Sequence, residues 1–274
     1  MGGPFKDKIC VITGAGSGIG RALAQNLAGQ GATLALSDIN LSGLEETRLL
    51  LGDGGSNRIR IDQLDVADAA AIEAYAAAIK EAFGNADMVM NVAGLTRIGS
   101  FEETSLEAFE KVIDVNLWGV VRMSKAFLDQ LIDTGGSLVN ISSVFGMIGF
   151  KGQSHYCASK FAVRGFSETL AQELEDKGVS VVSVHPGGIN TAIARNALVD
   201  ALPEDISERA EFETQFEEAA KTSPERAAEI ILNGAAKRKR RVLIGGDASF
   251  ISIVQRLFPS GYGKIIQNFL GRGD

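Results

Sequence analysis

Apolar and polar positions along the first two thirds of the chain follow a repeating rhythm. "KICVIT" (8–13), "ATLALSD" (32–38), "RIRIDQLD" (58–65), "DMVMNVAG" (87–94), "GGSLVNISS" (135–143) and "VSVVSVHPGG" (179–188) are short apolar runs, most of them rich in β-branched residues. They are bounded by glycine, serine or aspartate, which reads as strands with turns at their ends. "RRVLIGG" (240–246) reads as a seventh strand. Helical stretches lie between them: 18–30 with Ile19, Leu23 and Leu27 on one face, then 41–51, the alanine-rich 68–83, about 105–132, and 153–177. Strands that are apolar almost throughout are buried on both faces, so the pattern predicts a parallel sheet covered by helices on each side. Right-handed crossovers then make it doubly wound. Beyond the seventh strand, Phe250, Ile253, Val254, Leu257 and Phe258 form one helical stripe. Ile265, Ile266, Phe269 and Leu270 form a second, and residues 259–263 break the two. The chain thus divides into a main α/β domain over 1–247, with a substrate loop at about 192–220, and a helical extension over 248–274.

Composition narrows the function. A chain of 274 residues, 45% of them apolar, can form one α/β domain that buries roughly 75% of its unfolded surface. A net charge of −7 argues against general nucleic-acid binding, which rests on phosphate neutralisation. The two cysteines, Cys10 and Cys157, make no disulfide framework and read as reduced thiols in a cytoplasmic protein. Two histidines without Cys/His spacing give no metal site. The N-terminal "MGGPFKDKICVITGAG" carries neither a signal peptide nor a membrane span.

In a doubly wound sheet, ligands bind outside the carboxyl ends of the strands, and every polar motif here follows a strand. "TGAGSGIG" (13–20) places Gly14, Gly16, Gly18 and Gly20 between a strand and a helix. Such glycines let the backbone approach a pyrophosphate closely, and the helix start, with Ser17, Gly18 and Ile19, supplies free N–H groups. No G-K-[ST] follows, so a Walker-type ATP site loses support. The fold expected is therefore Rossmann-like, and the ligand a dinucleotide. Asp38 ends the second strand, where a carboxylate accepts hydrogen bonds from the adenosine ribose and repels a 2′-phosphate. No Arg or Lys lies at 37–40, which favours NAD over NADP. Asp38 is otherwise a helix cap before "INLSG". Asp65 with Val66 either meets the adenine or caps the helix near 68. "NVAG" brings Asn91, Ala93 and Gly94 to where the adenosine end passes.

"SHYCASKFA" (154–162) holds Tyr156 and Lys160 four positions apart, on one helix face. A free tyrosine, with a pKa near ~10, is a poor base, and a cation within about 4–6 Å lowers it by roughly 1–3 units. "TGAGSGIG", "NVAG", "NISS", "YCASK" and "PGGINT" (186–191) occur in this order, and together they closely resemble the short-chain dehydrogenase/reductase family. The resemblance covers about 8–191 by motif; Val92 and His185 depart from the usual pattern. It implies an oxidoreductase in which Tyr156 is the acid/base and Lys160 also binds the nicotinamide ribose. Ser143 would bond the substrate oxygen, with its neighbour Ser142 as the rival. Asn116 would hold a relay water, or else is a core amide. Pro186 and Gly187 would turn the chain at the cofactor, and the Ile189 backbone and the Thr191 hydroxyl would meet the nicotinamide amide. Relatives are mostly homodimers or homotetramers, often through helices at positions like 105–132 and 153–177.

Specificity would lie in "VFGMIGF" (144–150), Thr96 to Ile98, and 192–220. Phe145, Met147, Ile148 and Phe150 point to an apolar secondary alcohol or ketone. The acidic segment with Glu204, Asp205, Glu208, Glu211, Glu213, Glu217 and Glu218 reads as a solvated helical lid. "KRKRR" (237–241) reads as a cationic helix end, or as a patch that joins the tail on a membrane surface. The tail otherwise packs on the body, on a second subunit or over the pocket mouth. His155 and Cys157 carry no chemistry in this reading. The rival class is a non-catalytic dinucleotide sensor on the same fold.

Overall fold

The computed structural model describes residues 3–52, 58–191, 197–201, 211, 214 and 220–270, the side chains of 267–270 excepted. Its main sheet is parallel throughout, in the order β3-β2-β1-β4-β6-β7-β9. The strands are β1 (Ile9–Thr13), β2 (Thr33–Asp38), β3 (Ile59–Gln63), β4 (Met88–Asn91), β6 (Ser137–Ile141), β7 (Ser180–Pro186) and β9 (Arg241–Ile244). The chain first winds outward from β1 to β3, then returns to β4 on the other side of β1. The order therefore reverses between β1 and β4, and a ligand crevice opens at their carboxyl ends.

Both sheet faces are buried, because alternate side chains feed two cores. On one face Cys10, Ile12, Leu34, Leu36, Met90 and Val184 meet α1 (Gly18–Gly29), α2 (Leu41–Leu51) and α8 (Pro224–Ala236). On the other, Val11, Ala35, Val89 and Val181 meet α3 (Ala69–Phe83) and the helices that follow β4 and β6. Local chemistry sets the helix starts. Asn40, Asp68, Ser105 and Ser223 each accept a backbone N–H at the head of α2, α3, α4 (Leu106–Ile113) and α8. Ser17, at the head of α1, makes no such side-chain bond.

Three expectations need correction. The single helix over 105–132 is broken: a π-helical turn at Asp114–Trp118 follows α4, then come α5 (Gly119–Ala126) and α6 (Leu128–Thr134). The turn lets Asn116 swing into the core, and π turns of this kind gather at functional sites. Within 192–220, expected as a helical lid, the described part begins with a strand, while residues 211 and 214 are helical. There β8 (Leu198–Val199) pairs with β5 (Arg97–Ile98) under an Arg97–Asp200 ion pair. Of the acidic residues from Glu204 to Glu218 expected in the lid, only Glu211 lies among those described.

The third correction concerns the tail. Helix α9 (Gly246–Leu257) buries Ala248, Ile251 and Val254 and leaves Ile253, Leu257 and Phe258 exposed. The stripe read from sequence mixes these two faces, because every third residue, not only the bulkiest, points inward. Helix α10 (Tyr262–Leu270) adds Ile266 and Tyr262 to a third core built on Val144, Met147 and Ile148. Both tail helices thus pack on the 144–148 turn. In the basic run, Arg238 donates to the carbonyls of Gly135 and Gly178, and Arg240 pairs with Glu175 at 2.7 Å. No helix among the described residues is long and apolar enough to cross a membrane.

Candidate active site

The glycine turn follows β1. Gly14 and Gly18 have φ of 67° and 49°, left-handed values that favour glycine. A β-carbon on Gly14 would lie 2.8 Å from Ala93 Cα, and one on Gly20 would lie 2.1 Å from the Gly14 carbonyl oxygen. Thr13 Oγ1 accepts from the Val92 and Ala93 N–H groups, both at 3.1 Å, and so locks the ends of β1 and β4 together. Asp38 Oδ2 accepts from Gly16 N–H at 2.9 Å, and its Oδ1 accepts from Asn40 N–H. The carboxylate therefore sits directly beside the glycine turn. Arg21, not singled out in the sequence, braces that turn through the Gly16 and Gly43 carbonyls and Thr47 Oγ1. A cation near the start of a helix works against the helix dipole, and that misfit was the available signal.

Two residues expected to meet the adenosine end are turned away. Asn91 is 2% exposed and donates to Asn140 Oδ1 at 2.9 Å, because side-chain alternation on β4 points it into the core. The Val66 side chain is likewise buried, packed where Gly119 has no side chain. Asp65 accepts from Ala67 N–H, whereas the cap of α3 is Asp68.

Across the crevice lies α7 (Ser154–Glu173). Lys160 is 4% exposed; its ammonium donates to the Ile141 carbonyl at 2.9 Å and lies 5.6 Å from the centre of the Tyr156 ring. Burial holds its pKa down to about 8. Burial pushes the Tyr156 hydroxyl up to about 12, against a hydrogen bond with Ser143 that pulls it down. Tyr156 thus stands above its ordinary value, contrary to the lowering expected from the sequence, because burial disfavours the phenolate more than the Ser143 hydroxyl favours it. The two serines divide cleanly. Ser143 caps a short turn at Val144–Gly146 and its hydroxyl lowers the Tyr156 pKa, whereas Ser142 is buried and donates to the Lys160 carbonyl at 2.8 Å.

Asn116 is fully buried; its amide takes the Leu95 N–H, donates to the Leu95 carbonyl, and reaches Ser159 Oγ. A β-carbon on Gly94 would lie 3.1 Å from Asn116 Oδ1 and 3.5 Å from Lys160 Nζ. That glycine leaves the space between them open. Thr191 closes the far side: a β-carbon on Gly18 would lie 3.2 Å from its methyl group. The Ile189 side chain is buried in the core, and Pro186 ends β7 opposite Ile244.

His185, noted in the sequence only as a departure, is fully buried with both ring nitrogens engaged, one by Ser183 Oγ and one by the Ser143 carbonyl. Burial holds its pKa down to about 4, so it is neutral at pH 7. His155 is buried against the Arg97 carbonyl, and Cys157 is a buried free thiol. Phe145 meets the Tyr156 ring edge-on at 6.2 Å and stacks on Phe150 at 4.9 Å. Met147 and Ile148, expected to line the same site, are instead 1% exposed beneath the tail helices.

The profile of the short chain dehydrogenase family matches residues 8–202. The chain is a short-chain dehydrogenase/reductase. Among relatives of this dehydrogenase, the putative oxidoreductase SadH of Mycobacterium tuberculosis is 46% identical over 265 residues, 96% of this chain and 95% of that protein. A short-chain dehydrogenase/reductase from Burkholderia phymatum, solved in complex with NAD, superposes with a TM-score of 0.83 at 28% identity, covering 93% and 95% of the two chains. An alcohol dehydrogenase from Thermococcus sibiricus, complexed with 5-hydroxy-NADP, superposes with a TM-score of 0.72 at 29% identity, covering 86% and 95%. The family and its relatives support an oxidoreductase, and the fold is shared with solved dehydrogenases that hold NAD or an NADP derivative.

Proposed function

We propose that this dehydrogenase moves hydride between NAD and an apolar secondary alcohol or ketone, with Tyr156 as the acid/base. One observation carries the reading: the Lys160 ammonium lies 5.6 Å from the centre of the Tyr156 ring, and Phe145, stacked on Phe150, meets that ring edge-on. The residues present suit a dinucleotide. The glycine turn has no room for side chains, and the head of α1 lacks a side-chain cap, so its N–H groups can receive a pyrophosphate. When bound, the nicotinamide supplies the hydride acceptor and a positive charge.

Ser143 holds the substrate oxygen, and Tyr156 takes its proton in oxidation or returns it in reduction. Lys160 stabilises the phenolate and binds the nicotinamide ribose. Through the opening at Gly94, Lys160 passes the proton toward Asn116 and solvent. Asp38 favours NAD, because a carboxylate beside the glycine turn repels a 2′-phosphate. Phe145 and Phe150 favour an apolar substrate, and the chain acts as a homodimer or homotetramer.

One assay tests the reading: NADH and NADPH absorbance across a panel of secondary alcohols and ketones, for wild type and Tyr156→Phe. Tyr156→Phe should abolish turnover and still bind NADH. Oxidation needs the phenolate and should rise with pH, while reduction needs the phenol and should fall. An active Tyr156→Phe enzyme sinks the mechanism, equal use of NADP removes the role of Asp38, and a preference for charged sugars removes the apolar substrate. A wild type that binds NADH yet turns over nothing in the panel supports the sensor class instead.

A further inference from the structure

The cofactor turn after β7 is held by a residue that lies outside the family's motifs. Gly187 N–H donates to the Ile244 carbonyl at 2.9 Å, which ties the turn to β9. Thr222 bonds it from one side, donating to the Gly188 carbonyl and accepting from Asn190 N–H. From the other side Asp247, in the first turn of α9, accepts the Gly188 N–H on Oδ2 at 2.7 Å. Its carboxylate lies flat against two glycines. A β-carbon on Gly187 would fall 2.0 Å from Asp247 Oδ2, and one on Gly245 would fall 2.1 Å from Oδ1. Gly245 also has a φ of 99°, which a side chain would strain. Any other residue at 187 or 245 would thus expel the carboxylate. Three residues further on, Thr191 faces Gly18 across the crevice.

We propose that Asp247 is a positioning residue for the dinucleotide: it fixes the 187–191 turn against the glycine turn, and so makes the start of the C-terminal extension part of the cofactor site. This rests on the dinucleotide reading above. Without Asp247 the Gly188 N–H loses its acceptor and the turn is held from one side only, so more ordering on cofactor binding is subtracted from affinity. An acceptor for the Gly188 N–H keeps the turn in place beforehand.

The test is calorimetric titration of NADH into the full chain, for wild type, Asp247→Ala, Asp247→Asn and Gly187→Ala, with a melting temperature for each. Asp247→Ala should weaken NADH by about tenfold, the worth of one hydrogen bond to a charged acceptor. Its KM for NAD⁺ should rise in step, while KM for the alcohol holds. Asp247→Asn keeps an oxygen toward Gly188 and should recover most of the affinity. Gly187→Ala displaces the carboxylate from the other side and should repeat the loss. If Asp247→Ala does not fold, Gly187→Ala and Asp247→Asn carry the comparison. Wild-type NADH affinity in Asp247→Ala or Gly187→Ala overturns the proposal, as does Asp247→Asn binding no better than Asp247→Ala. A wild type that does not bind NADH fails differently, because it removes the dinucleotide reading itself.

Discussion

Lys160 stands in a site that charges stability for function. Its ammonium is buried, and its one bond among the described residues goes to a backbone carbonyl, not to a carboxylate. The fall in pKa from 10.5 to about 8 corresponds to about 3 kcal/mol against the charged form. The sign follows from proton binding. Below about 8 both folded and unfolded chains carry the charge, and the folded one carries it at the full penalty. Between about 8 and 10.5 only the unfolded chain still binds the proton, so stability climbs with pH across that window. Lys160→Met should therefore raise the melting temperature at pH 7 by about 5 °C. The gain should fade as pH nears 10.5, and NADH affinity should drop. Calorimetric melts of both proteins across that range check it. A Lys160→Met protein less stable at pH 7 would mean that the buried charge is compensated. At this scale motif spacing singled out Tyr156, Lys160 and Ser143, which stand near one another in the structure. The sequence hid Arg21, His185 and Asp247, whose partners are backbone groups 22 to 59 positions away.

At the scale of elements, strands and short helices were legible, since period and turn residues are local properties. The breaks were not. The π turn at Asp114–Trp118 exists because Asn116 finds Leu95, which is distant in sequence. Strands β5 and β8 have two residues each and no period to read; they form because Arg97 meets Asp200. The tail shows the same limit: its apolar content was plain, but its inner face depended on the 144–148 turn that it covers. One bond fixes that docking. Tyr262, on α10, accepts the Gly149 N–H at 3.0 Å. Tyr262→Phe keeps the ring and removes the acceptor, and should cost about 1 kcal/mol in denaturant unfolding. It should also raise KM for the substrate, because Gly149 adjoins Phe150 in the aromatic wall, while NADH affinity stays at the wild-type value. If substrate KM does not change, the tail is a covering element with no hold on the substrate loop.

At the scale of the whole molecule, the doubly wound parallel sheet was readable because handedness and burial leave few ways to wind seven apolar strands, whereas the strand order came only with the structure. Assembly was expected only through the resemblance, since no pattern in one chain states what covers an outer surface. The structure adds a physical argument. Leu106 at the head of α4, Trp118 in the π turn and Phe161 on α7 are 74%, 50% and 41% exposed, although the elements that carry them are ordered and otherwise well packed. Helix α4 packs against α7, so Leu106 and Phe161 stand on neighbouring elements. Large apolar side chains kept in water on adjoining helices are what a subunit interface leaves behind when one protomer is viewed alone. A net charge of −7 is spread over too many surface carboxylates and cations to oppose such a contact at physiological salt. Light scattering of the full chain should give a dimer or tetramer mass. Leu106→Glu with Phe161→Glu should shift it toward monomer, since a charge buried without a partner costs several kcal/mol. A monomeric wild type ends this assignment, and an unshifted double variant moves the interface away from α4 and α7.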